Sequence, residues 1–190
     1  MSARIREHAT YQDLLKVPDN MVAELIEGEL FASPRPAIRH AAAKSELLTF
    51  VSSAFDRRSS DPYRSHIVAE PELHFGYDVL VPDIAAWRIE RIGPELPDLA
   101  AMEIAPDWIC EILSPSTARL DRAKKMPVYA QHGVTHAWLL DVDEQYLEVK
   151  RLENGKWTGI AIFTAGETVR AEPFEAIEID MTYVWGPPPA

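Results

Sequence analysis

The sequence predicts an α+β chain, a mixed sheet with helices on its faces. Three observations carry that expectation. Residues 37–55 place Ala43, Leu47, Phe50, Val51 and Ala54 at helical spacing, a clear apolar stripe. Several short apolar runs are bounded by turn residues, as strands are. Their order is helix and hairpin, long helix, antiparallel strands, strand, helix, strand, then a strand-rich C-terminus.

In chain order, residues 10–15 form a short helix capped by Thr10, with Asp13 three positions on. Residues 22–31 form two strands around the tight turn Glu27-Gly28-Glu29, and Pro34 and Pro36 end that hairpin. After the long helix, residues 57–62 are a loop. Residues 66–69, 72–75 and 79–87 are strands, the last two joined by Gly76-Tyr77-Asp78. Residues 90–105 are proline-dotted loop. Residues 107–113 are a short apolar strand that Ser114-Pro115-Ser116-Thr117 ends, and those hydroxyls are N-cap candidates for the next helix. Gly133 suits that helix's C-terminal stop. Residues 135–142 are a buried strand, 145–152 and 157–163 a hairpin around Asn154-Gly155, and 169–179 one or two edge strands. One domain is expected over residues 1–186, with a Pro-rich tail over 187–190.

Composition narrows the function classes. With 190 residues, 47% hydrophobic and 26% charged, the chain has enough core to fold without a metal or disulfide staple. Its single cysteine, Cys110, allows no internal disulfide, so a reducing, cytoplasmic setting is expected. Residues 1–10 lack the apolar core of a signal peptide, and no run is long enough to span a membrane. The formal net charge of -11 repels nucleic acid overall, so any such role needs a local basic patch. Glycine-rich phosphate loops, a nucleophile-elbow serine and His-Glu-x-x-His are absent. The histidines are scattered without ligand spacing, and each alone reads as a surface or satisfied core residue.

Two carboxylates stand out of place. Asp83 lies in Val79-Leu80-Val81-Pro82-Asp83-Ile84-Ala85-Ala86-Trp87, where alternation puts it on a face with Val81, Ala85 and Trp87. Glu111 lies in Asp107-Trp108-Ile109-Cys110-Glu111-Ile112-Leu113, on a face with Ile109 and Leu113. An ionised carboxylate there costs several kcal/mol unless it is paired, hydrogen-bonded or bound to metal. A shared divalent cation resolves both, and Mg²⁺ accepts one or two carboxylates with water and phosphate in its other positions. The competing reading is a buried salt bridge for each acid, or an open, solvated sheet face. On the following helix Asp121, Lys125 and Tyr129 are spaced by four and stack on one face. Taken alone, Asp121 and Lys125 read as an ion pair on a solvated face. A lysine near the metal site would instead stabilise charge developing on a phosphate or orient the attacking water. Pro127 falls inside this helix, so the helix either begins near Lys124 or kinks there.

Val81-Pro82-Asp83, Cys110-Glu111-Ile112-Leu113-Ser114-Pro115-Ser116-Thr117, and Asp121 to Lys125 with Tyr129 and Gly133-Val134 together resemble the Uma-two family of putative restriction endonucleases, within the PD-(D/E)xK nuclease superfamily. Upstream, Glu24-Leu25-Ile26-Glu27-Gly28-Glu29-Leu30 with Ser33-Pro34 and His40 is similar to the family's N-terminal signature, and Ala137-Trp138-Leu139-Leu140-Asp141 to its post-helix strand. The resemblance implies a restriction-endonuclease-like central mixed sheet flanked by helices, with extra strands at the C-terminus. It implies Asp83 and Glu111 as metal ligands for Mg²⁺ or Mn²⁺, Lys125 as the catalytic lysine with Lys124 the fallback, and Glu24 as a further catalytic acid that would bind a second metal or a metal-bound water. The superfamily's usual lysine position, two residues after the second acid, holds Leu113.

The expected function is metal-dependent endonucleolytic hydrolysis of nucleic acid, DNA in the first place. His40, Arg39 and Lys124 are candidate substrate contacts, with Arg35, Lys44, Arg119 and Arg122 as further cations that could flank the cleft. A homodimer and no membrane partner are expected. The alternative is an inactive protein that keeps the nuclease fold as a binding or assembly module.

Overall fold

The computed structural model describes residues 8–55 and 64–186. The predicted hairpin is present as β1 (Met21–Ile26) and β2 (Glu29–Pro34). It turns at Glu27 and Gly28, both at positive φ, as a two-residue hairpin requires. Ahead of it stands α1 (Tyr11–Leu14), where the Thr10 backbone N–H and hydroxyl both donate to the Asp13 carboxylate. After it runs α2 (Ile38–Phe55), whose buried positions Ala43, Leu47, Val51 and Phe55 follow a helical stripe.

The middle of the chain supplies β3 (Ser65–Ala69), β4 (Leu73–Phe75), β5 (Asp78–Leu80), β6 (Ile84–Arg88), α3 (Ile89–Ile92) and β7 (Trp108–Leu113). Next come α4 (Ala118–Leu120), a π-helical turn (Asp121–Lys125) and α5 (Met126–Gln131). The C-terminal part holds β8 (His136–Asp141), β9 (Tyr146–Glu153), β10 (Lys156–Thr164), β11 (Thr168–Val169), β12 (Ile179–Asp180) and α6 (Met181–Trp185).

The central sheet has six strands in the order β10-β9-β8-β7-β6-β3. It is mixed: β7 and β8, joined through α4 and α5, run parallel, and the other neighbours run antiparallel. A smaller antiparallel sheet, β2-β1-β5-β4, lies on one side, and β11 and β12 form a two-stranded ribbon. One face of the central sheet packs Ile84, Trp108, Cys110, Ile112 and Trp138 against α2, α6 and Phe174. The other packs Ala85, Trp87, Ile109, Leu113 and Leu139 against Met126, Val128 and Tyr129 of α5 and Leu80 of the small sheet. Glu111 alternates with Ile109 and Leu113, so it lies on this second face, beneath α5.

Two local expectations need correction. Residues 79–87 are not one strand. They split into β5 and β6, which belong to different sheets, with Val81-Pro82-Asp83 crossing between them. Pro82 has no N–H to give a ladder, and the Val81 N–H goes to Glu24 Oε1 at 2.8 Å. Asp83 therefore occupies a bend at the entrance of β6, not a mid-strand position. Residues 118–131 also resolve the Pro127 conflict in a way neither expected alternative described. Pro127 sits in the first turn of α5, where a missing N–H is tolerated, and the turn before it opens into a π-helix. The Met126 N–H donates to the Asp121 carbonyl, five residues back.

A smaller difference is α3, which occupies the start of the stretch expected as loop. The expected loop at 57–62, residues 1–7 of the segment 1–10 that lacks a signal peptide's apolar core, and the tail at 187–190 lie outside the described residues. Among the described residues no helix is long and apolar enough to cross a membrane.

Candidate active site

Asp83 stands in the bend that leads into β6, one residue before the Ile84–Cys110 pair that joins β6 to β7, and Glu111 is the residue after Cys110 on β7. The Ile112 N–H fixes Asp83 by donating to Oδ2 at 2.8 Å. Both carboxylates line one cavity of about 420 Å³, together with Glu24, Asp121, Lys125, His40, Glu70 and Ser114 to Thr117.

Lys125 occupies the centre of the acid cluster. Its ammonium is 2.9 Å from Glu111 Oε1, 3.0 Å from Glu24 Oε1 and 3.6 Å from Asp121 Oδ1, and it donates to the Val81 carbonyl at 3.1 Å. The Tyr129 hydroxyl donates to the same Glu111 oxygen at 2.6 Å. Asp121 and Lys125 are thus not a solvated surface pair: their side chains are 5% and 4% exposed. The spacing by four is as read from sequence, but the face it forms turns inward, onto Glu111 and Glu24.

Electrostatics separate the two central acids. Burial pushes the Glu111 carboxyl well above the usual carboxylate range; Lys125 pulls it down, but Asp121, Asp83 and Glu24 reinforce the rise. Burial also acts upward on Asp83, yet the His40 contact and the Ile112 N–H outweigh it and hold Asp83 below its ordinary value. Asp121 is raised, chiefly by burial. For Lys125 burial acts downward, and the surrounding carboxylates, Glu111 and Glu24 first, overcome it and keep the ammonium charged. Two neighbouring carboxyls driven in opposite directions inside a cavity are a frequent mark of a functional site.

The other expected residues divide. His40, near the start of α2, places Nε2 3.1 Å from Asp83 Oδ1 and lines the cavity. Arg39 and Arg35 also line it, although Arg39 is paired with Asp143 at 3.1 Å and donates to the Val142 carbonyl. Lys124 points elsewhere: it bonds Glu27 and is not part of the cavity wall. Arg122 bonds Glu148 and Tyr146. The site also contains residues to which the sequence assigned no role. Tyr129 and Asp121 entered as members of a helical face and of the motif that carries the resemblance, without a role of their own. Glu70 carried no local signal, since its relation to the site is made by contacts with Lys44 and Asp83, distant in sequence.

Asp83 and Glu111 put carboxylate oxygens on the wall of one cavity, the donor type that a hard divalent cation such as Mg²⁺ takes. Among the described residues no group of three or more His, Cys, Asp or Glu side chains is placed to hold a metal ion.

A central mixed sheet flanked by helices, with an aspartate entering one strand beside a glutamate on the next, defines a restriction-endonuclease-like protein related to the PD-(D/E)xK nucleases. The chain belongs to the Uma2 family, described as putative restriction endonuclease, whose model matches residues 9–182. It is also similar to a solved structure from Anabaena variabilis, described as a putative nuclease belonging to DUF820. That match has 27% identity and a TM-score of 0.73, and it covers 93% of this chain and 97% of the other. No curated protein matches.

Proposed function

We propose that this chain is a divalent-cation-dependent endonuclease that hydrolyses phosphodiester bonds in nucleic acid, DNA in the first place. Asp83 and Glu111 would hold Mg²⁺ or Mn²⁺. The observation that supports this reading is that Asp83 and Glu111 line one cavity, with Lys125 2.9 Å from the second acid. When bound, the cation supplies Lewis-acid polarisation of the phosphate and lowers the pKa of a water.

The chain's own residues do the rest. Lys125 keeps its charge in a water-poor setting, where a fixed ammonium stabilises developing negative charge more than it would in bulk water. Glu24 and Asp121 hold that ammonium in place. Tyr129 fixes the rotamer of Glu111, and His40 and the Ile112 N–H fix that of Asp83. Arg35 and Arg39 border the cavity, where a phosphate backbone would pass. A cytoplasmic setting belongs to the same reading, supported by a buried, free Cys110. So does a homodimer, which light scattering tests.

The test is cleavage of labelled single- and double-stranded DNA and RNA with Mg²⁺ and Mn²⁺. Wild type should cut, and Asp83→Asn and Glu111→Gln should each abolish turnover while leaving the melting transition cooperative. Absence of both cleavage and metal binding would remove the enzyme reading. It would leave the inactive binding module, which the net charge of -11 favours. Activity retained in both variants would move the site elsewhere.

A further inference from the structure

A phosphate entering this cavity meets carboxylates, and a cation already paired with one of them is a candidate to move across and receive it. Lys125 is poorly suited to that exchange. Its partners Glu24, Glu111 and Asp121 are each 6% exposed or less, and stripping a buried carboxylate of its cation is expensive. Lys44, one helical turn after His40 on α2, is placed differently. Its ammonium bonds Glu70 and lies 3.5 Å from Asp83 Oδ1. Glu70 and Asp83 both line the cavity; Lys44, 12% exposed, is not itself part of its wall and reaches it through these two carboxylates. Glu70 is 36% exposed, so water can take over its carboxylate at little cost.

The backbone of Glu70 points the same way. It has φ of 48°, a left-handed conformation uncommon for a residue with a side chain, and its N–H donates to the Asp83 carbonyl at 3.0 Å. The end of β3 is thereby tied to the Asp83 bend, with the Glu70 carboxylate on Lys44.

We propose that Lys44 is a substrate-phosphate-binding residue of this site, held by Glu70 in the free protein and transferred to a non-bridging phosphate oxygen when a phosphodiester enters. The proposal rests on the phosphodiesterase reading above. It predicts opposite signs for the two partners: loss of Lys44 weakens binding, and loss of the Glu70 charge strengthens it.

The experiment is a double-mutant cycle with the full chain, a short fluorescein-labelled DNA and Ca²⁺, followed by anisotropy over a range of salt. Lys44→Met should weaken binding on the order of tenfold. It should also flatten the slope of log affinity against log salt by about 0.9. Lys44→Arg should retain most of the affinity. Glu70→Gln should tighten binding in the wild-type background and do nothing in the Lys44→Met background. Equal tightening in both backgrounds would mean simple repulsion by Glu70 and would overturn the proposal. So would a Lys44→Met variant with unchanged affinity and slope. If wild type binds and cleaves DNA while these variants are unmoved, only the assignment of Lys44 falls. If wild type neither binds nor cleaves, the phosphodiesterase reading falls and takes this one with it.

Discussion

At position 125 one ammonium serves three buried carboxylates, so its removal leaves several uncompensated charges. Lys125→Met should cost about 3–5 kcal/mol of stability by urea unfolding at neutral pH, and less near pH 5 as the orphaned acids take up protons. A loss under about 1 kcal/mol would mean that water already solvates the cluster. Glu111 gives a second residue-scale prediction. Its folded pKa is raised above the ordinary 4.5, so the fold favours the protonated form. Its contribution to stability is therefore greatest below that value and declines as pH rises through the folded pKa. Divalent cation binding must displace the same proton, so Mg²⁺ affinity measured by calorimetry should increase with pH across this window, with proton release. An affinity independent of pH would separate Glu111 from the metal. The acids themselves were legible in the sequence because Asp83 and Glu111 interrupt apolar runs. Lys44 was legible only as one of several cations that could flank the cleft, and its pairing with Glu70 was not, since the two meet only when α2 and the end of β3 come together.

Among the elements, the helical stretch from α4 to α5 decides where Lys125 points. The Pro127 ring would collide with a carbonyl of the preceding turn in a continuous α-helix, and the π-turn relieves that collision. Pro127→Ala should let the helix close and swing Lys125 away from Glu111. Turnover should fall about tenfold or more, with a melting temperature below wild type, because the same buried carboxylates lose their cation. Unchanged turnover would show that packing, not the proline, sets the turn. Apolar periodicity gave the stripe of α2 and the strands that flank the site. It could not give the split of residues 79–87, because β5 and β6 are both apolar; the marker in the sequence is Pro82, which has no N–H for a ladder, and the Val81–Glu24 contact shows where one sheet ends. It could not give the inward orientation of Asp121 either, because spacing by four fixes a face and not what that face meets.

For the whole molecule, charge and fold work against each other. The net charge of -11 repels a polyanion, while the proposed activity requires one to approach. Metal-free protein should show no measurable duplex binding at physiological salt below concentrations of about 10⁻⁴ M, and divalent cations should restore it. Tight metal-free binding would point to a basic surface outside the cavity. The central claim is narrower than affinity or specificity: the carboxylates at 83 and 111 share one cation. Anomalous diffraction from a crystal soaked in Mn²⁺ measures it directly. The account predicts one strong peak within bonding distance of oxygens from both side chains. No peak there, with Lys125 still bridging Glu24 and Glu111, would contradict it.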